Sequence, residues 1–264
     1  MSRLRPLLLC LALTSSLFAQ DAPPEGVVLL PITKTEVPGA NGSLWVTELY
    51  LHNHSDQVLW VTNTWGGCRL SAVHACDVRL DPRSTVRETS TPPQFPRNDA
   101  YHYWYVTEGA PSAFSASTFV RNIGTDVDPW GTAVPAARAA DFKTEPLHLA
   151  PVPGDPAYRV SLRVYVWSWF THSSELAVEI WTTGGSGNAP SLVRSLTLPA
   201  VPKQYADAPG SYFEAHDIFA GIPARGASDR FTIRMATPAS PGARLWGFAS
   251  IVHNETQHVT VFAP

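Results

Sequence analysis

The chain reads as an all-β protein of two tandem antiparallel β-sandwich domains that arose by internal duplication. Three observations support this. The first is a repeat: Trp45, Thr47, Leu49 and Leu51 overlay Tyr158, Val160, Leu162 and Val164 without a gap. After five extra residues in the second copy, Val58, Gly66, Gly67, Val78 and Leu80 meet Leu176, Gly184, Gly185, Leu196 and Leu198. The copies close with the run from Phe114 to Asn122 over the run from Trp246 to Asn254, and Val37-Pro38-Gly39 and Val152-Pro153-Gly154 precede them. Self-similarity of this kind marks a duplicated module. The second observation is period-two alternation of apolar and polar side chains, the pattern of half-buried strands. The third is Gly/Pro turn chemistry between the apolar runs, as at Asn41-Gly42, Gly66-Gly67, Gly184-Gly185 and Pro241-Gly242.

Residues 1–19 stand apart. Arg3 and Arg5 precede an apolar stretch from Leu7 to Leu13, and small residues surround a cut site after Ala19. This is the pattern of a secretory signal peptide, so the chain is expected outside the cytoplasm: secreted, periplasmic or in the cell envelope. No later apolar run reaches the length of a membrane span. Removing the two leader arginines takes the net charge from −3 to −5. A mildly acidic chain without a Lys/Arg run offers no electrostatic basis for nucleic acid as a partner.

Module 1 is placed at 26–123. In its first long strand Trp45, Thr47, Leu49 and Leu51 alternate with Val46, Glu48, Tyr50 and His52, giving an apolar face and a mixed face. Further strands are expected at 58–65, 76–80, 100–107 and 113–122. A linker follows at 124–145, and module 2 occupies 146–264, opening on Leu147-His148-Leu149 as a counterpart of Val28-Leu29-Leu30. Its strands are read at 158–166, 174–181, 231–235 and 245–253, with Arg159, Ser161, Arg163 and Tyr165 on the wetter side of the first. Two stretches, 81–99 and 199–228, read as long loops of the kind that carry function on sandwiches.

Of the three cysteines, Cys10 leaves with the leader. Cys68 and Cys76 remain, and an even pair in an oxidising compartment is expected to form a disulfide. The second copy has Ser186 and Arg194 there, so the bridge is local to module 1.

The pattern Trp45-x-Thr47-x-Leu49-x-Leu51-x-Asn53 after Pro38-Gly39, with the Ala249-Ser250-x-Val252-x-Asn254 ending, resembles tandem immunoglobulin-like β-sandwich modules of secreted bacterial proteins. The resemblance covers most of the mature chain. It implies a sandwich fold and brings no active residues with it. The second copy departs from the pattern, with Tyr158 in place of the Trp and Val166 in place of the Asn.

Aromatic residues are the leading functional candidates. In the run Tyr101 to Tyr105, alternation puts three tyrosines on one face and His102 with Trp104 on the other. Trp167, Trp169 and Phe170 lie at the insertion that distinguishes the copies. Flat exposed rings stack on sugars or anchor protein partners. Trp167, Trp169, Phe170, Tyr103 and Trp104 are therefore the candidate ligand-binding residues. The competing reading has the same rings in the core or packing the domain interface. His52 and His54 share a strand face with Glu48 but lack a third ligand of known proximity, so no metal site is assigned. Asp126 and Asp128 lack the ladder of oxygens a calcium loop requires. No nucleophile elbow, zinc-protease motif or phosphate-cradling loop is present, and His216-Asp217 with Ser211 is not a triad on sequence proximity alone.

The expectation is a non-catalytic, cofactor-free recognition or adhesion protein binding a glycan or an extracellular or envelope protein through loop aromatics. The alternatives are a structural spacer or assembly component of the envelope and, behind it, a hydrolase, whose two carboxylates would carry no fixed spacing.

Overall fold

A computed structural model describes residues 23–31, 37–39, 42–63, 77–88, 101–124, 131–167, 173–183, 189–201, 210–222, 226–237 and 243–264. Within them the chain is all-β. The first strands are β1 (Val28–Leu30), β2 (Val37–Pro38), β3 (Leu44–Asn53), β4 (Leu59–Asn63), β5 (Val78–Leu80) and β6 (Thr85–Glu88). Next come β7 (His102–Glu108), β8 (Phe114–Asn122), β9 (Thr132–Val134), β10 (Ala137–Arg138), β11 (Leu147–Pro153) and β12 (Tyr158–Trp167). The last are β13 (Glu175–Thr182), β14 (Leu192–Pro199), β15 (Ser211–Ala215), β16 (Arg230–Ala236), β17 (Arg244–His253) and β18 (Val259–Phe262).

These strands form four antiparallel sheets. Sheet I has the order β10-β1-β7-β4-β5; in sheet II, β2-β3-β8-β9 are joined by β6 pairing with β3. Sheet III is β15-β12-β17-β18 and sheet IV is β11-β16-β13-β14. Sheets I and II face each other across one core, where Val28, Leu30, Leu59, Val61, Leu80 and Trp104 meet Leu49, Leu51 and Phe114. Sheets III and IV enclose a second, with Val160, Leu162, Val164 and Ala249 against Leu149, Val178, Ile180 and Ile233. Removing such a side chain from water contributes about 1.5–3 kcal/mol each.

The same six strand pairings occur in both halves. β1, β7, β4 and β5 have the neighbours that β11, β16, β13 and β14 have, and β6, β3, β8 and β9 those of β15, β12, β17 and β18. The second and fifth of these strands share a sheet, as do the third and sixth, which is also true of immunoglobulin domains. The first strand, however, flanks the sixth, the seventh flanks the second and the fourth flanks the third, so these three lie in the opposite sheet relative to the seven-strand immunoglobulin order.

Three details differ from the sequence reading. The closing overlay slips by one residue: Trp45 pairs with Asn122, whereas Tyr158 pairs with His253 rather than Asn254. Leu245 therefore holds the inward position of Phe114, and Trp246 faces the other way. A one-residue shift exchanges the two faces of a strand, so burial decides the register. Secondly, the stretches read as long loops each contain a strand, β6 and β15, in equivalent positions. Thirdly, the stretch read as a linker at 124–145 supplies β9 to sheet II and β10 to sheet I.

The Asn that ends the first-copy motif has a structural task. Asn53 is buried, its Nδ2 donating to the carbonyls of Gln57, Leu80 and Asp81 at 2.7, 3.1 and 3.0 Å. Its Oδ1 accepts from the Ser55 amide at 2.9 Å, so the side chain ties the turn after β3 to the end of β5.

Candidate functional site

The two halves meet through the outward faces of sheets I and III. On β12 the outward residues run, from one end to the other, Trp167, Tyr165, Arg163, Ser161 and Arg159. At the first end the contact is aromatic and closed. Val27, Leu29, Tyr101 and Tyr103 of the N-terminal half pack with Tyr165, Trp167, Tyr212, Trp246 and Phe248. Tyr103 meets Trp167 edge-on with ring centroids 4.9 Å apart, and Tyr101 meets Tyr165 at 5.2 Å. The Tyr165 hydroxyl donates to the carbonyl of Pro31, a bond between the halves. Backbone bonds from Lys143 to Leu245 and back, at 2.8 and 2.7 Å, clamp the connecting segment onto β17. Hydrophobic contact of this kind holds two units as one body.

At the other end the same face opens into a groove of about 310 Å³. Sheet II provides one wall through Val37, Trp45, Thr47, Val120 and Val134. Sheet III provides the other through Arg159, Ser161, Arg163, Glu214 and Ser250, with Val252, Val259 and Val261 beside them. Trp45 and Thr47 share the face of β3 that enters the core at Leu49 and Leu51, so the groove continues that core to the surface. The Thr132 hydroxyl donates to the Val259 carbonyl at 2.9 Å, joining the edges β9 and β18. The volume lies at the lower end of the range that holds small molecules.

A charged cluster stands at the seam between the closed and open ends. Arg163 donates from Nε and Nη2 to Glu214 Oε1 at 3.1 and 2.7 Å, and the Tyr212 hydroxyl donates to Oε2 at 2.6 Å. Both charged side chains are largely buried, at 16% and 14% exposure. Burial alone would lower the Arg163 pKa. The Glu214 carboxylate, by its charge and its hydrogen bonds, holds the guanidinium above its ordinary range. Burial likewise pushes the Tyr165, Tyr212 and Tyr103 hydroxyls upward, so all three stay neutral. His216 is exposed, its Nε2 4.0 Å from Glu214 Oε1.

Of the candidate ligand-binding residues, Trp167, Tyr103 and Trp104 are 1%, 2% and 4% exposed, as the core-or-interface reading of these rings expects and the solvent-facing reading does not. Trp167 and Tyr103 are spent on the contact between the halves, and Trp104 on the core between sheets I and II. The physical reason is that the outward faces of both sheets are covered by each other. Trp169, Phe170, Cys68 and Cys76 lie outside the described residues, as do Asp126 and Asp128. His52 bonds to the hydroxyls of Thr85 and Ser117, and His54 to that of Ser115. Among the described residues no three His, Cys, Asp or Glu side chains converge as a metal site. No helix there is long and apolar enough to cross a membrane. Ser211 is buried while His216 is exposed.

Sequence reasoning grouped Arg159, Ser161 and Arg163 on one face but did not mark them as a site. The usable signal was three polar residues at alternate positions beside an aromatic pair, with Tyr212 and Glu214 repeating that order on another strand. No family model matches the chain, and no curated protein matches it.

Proposed function

We propose that this is an exported, non-catalytic recognition protein of two duplicated sandwich modules, holding its ligand in the groove between them. The observation that carries the reading is the change in character along one face of sheet III. The aromatic end locks the halves together, and the polar end leaves a preformed groove with apolar walls and a few placed polar groups. That is the composition of ligand sites, and a rigid frame reduces the ordering cost of binding. Export rests on the leader pattern of residues 1–19, and duplication on the six shared strand pairings. The modules are immunoglobulin-like in how their central strands are shared between sheets, with the first, fourth and seventh strands in the opposite sheet.

The burial of Trp167, Tyr103 and Trp104 moves the recognition reading from ring stacking to the groove. A glycan or an envelope protein as partner would meet surfaces other than those rings. The same aromatic layer favours a second reading, a rigid spacer whose groove holds nothing.

The test is a thermal-shift screen of residues 20–264 against small organic acids, alcohols, sugars and a glycan array, beside Ser250→Trp. Ser250, on β17, pairs directly with Ser161 of β12 on the groove wall, and a Trp there fills the space. A ligand that stabilises the native chain and not a folded Ser250→Trp establishes the binding reading. No ligand for the native chain leaves the spacer reading in its place.

A further inference from the structure

Two arginines line the groove, and they are not equivalent. Arg163 is neutralised by Glu214 at 2.7 Å. Arg159, four residues earlier on the same face, is half-buried and among the described residues bonds only to neutral amides: Nη2 donates to Gln257 Oε1 at 2.7 Å and Nη1 to Asn254 Oδ1 at 3.5 Å. A guanidinium has about five N–H donors and keeps its charge at any ordinary pH, so Arg159 retains uncommitted donors. The charged groove lining is two arginines and one glutamate, a net charge of +1 within a chain of net charge −3.

Arg159 is also held in place. Gln257 is buried, and its Nε2 donates to the Asn254 carbonyl at 2.6 Å, so its Oε1 is fixed toward the guanidinium. Gln257 adopts a φ of 57°, in the left-handed region where a side chain other than glycine's is disfavoured. Strain of this kind persists where the surroundings enforce a geometry.

We infer that the groove selects a small apolar molecule bearing a single carboxylate, and that Arg159 receives the carboxylate. The inference rests on the groove being the binding site. Trp45 and the valines exclude a fully polar ligand, and the volume of about 310 Å³ excludes a large one. A planar two-oxygen anion matches the guanidinium fork. The Arg163–Glu214 pair cancels, so the groove's net charge of +1 balances a monoanion and leaves the second charge of a phosphate dianion unbalanced.

The probes are 3-phenylpropanoate and 3-phenylpropan-1-ol, which share a body and differ in the head group. They are titrated by calorimetry into the whole mature chain, Arg159→Gln, Arg159→Lys and Ser250→Trp, each checked for folding by its melting temperature. The acid is expected to bind the native chain about tenfold or more tighter than the alcohol, the scale of a charge-assisted bond. Arg159→Gln removes that preference, Arg159→Lys keeps part of it, and Ser250→Trp removes both ligands. Equal binding of acid and alcohol, both lost in Ser250→Trp, leaves the groove reading standing and overturns the carboxylate inference. An acid preference that survives Arg159→Gln also overturns it. Binding of neither probe to the native chain overturns it together with the groove as a site for such molecules. The comparison within the native chain holds even if a variant fails to fold.

Discussion

The two ends of the outward face of sheet III are made by the same strands and differ in what covers them. At the Trp167 end the cover is the outward face of sheet I, and aromatic rings meet edge-on across the halves. At the Arg159 end the cover is the margin of sheet II, which leaves a groove of about 310 Å³ between the facing walls. The closed end provides cohesion and the open end provides volume. Neither is an attribute of the strand itself; each follows from the partner surface.

The largest expected effect breaks the closed end. Trp167→Ala should cost about 3–5 kcal/mol, the transfer loss plus an unfilled cavity. Ser161→Ala, on the same face, should stay within about 0.5 kcal/mol. Denaturant unfolding of both variants checks this, and similar losses at the two sites would erase the contrast between closed and open ends.

Next comes the seam. Glu214→Leu leaves the Arg163 charge largely buried without its carboxylate and should cost about 3 kcal/mol. Replacing both partners, Arg163→Met with Glu214→Leu, should recover most of that loss, because no charge then remains buried. A double variant as unstable as the single one would mean that the cluster contributes through packing alone.

The smallest effect belongs to the outward face of sheet II. Burial, and then the charge of His54, lower the pKa of His52 from its ordinary 6.5. The folded state thus binds fewer protons at this site than the unfolded state. The stability it contributes is fully present above about pH 6.5 and is lost as pH falls through the lowered folded value. Melting temperatures between pH 8 and 5 should fall less steeply for His52→Gln than for the native chain. Identical slopes would assign the acid sensitivity to other groups.

Much of the fold was legible because alternation is a local property. Leu49 and Leu51 face inward as their spacing requires. Tyr101 and Tyr103 part from Trp104 as a period of two demands, the tyrosines toward the other half and the tryptophan into the core. The strands β6 and β15 were not legible, since β6 is only four residues long and both sit in stretches rich in turn-forming residues. The slip of the last overlay was hidden for a related reason. Phe114 and Trp246 are both aromatic, and composition alone favours matching them, while pairing sets Phe114 opposite Asn53 and Leu245 opposite Val166.

What the sequence by itself determined is therefore which residues share a face: the alternation along each strand and the repeat of that alternation in two halves. A strand's period of two follows from the backbone and needs no knowledge of neighbours. Only the tertiary structure decided which faces would be covered, that Trp167 and Tyr103 would meet across the halves, and that Arg159 would line a groove. Burial depends on residues more than a hundred positions away, as in Tyr165 donating to the Pro31 carbonyl. No local pattern encodes which of those distant surfaces arrives.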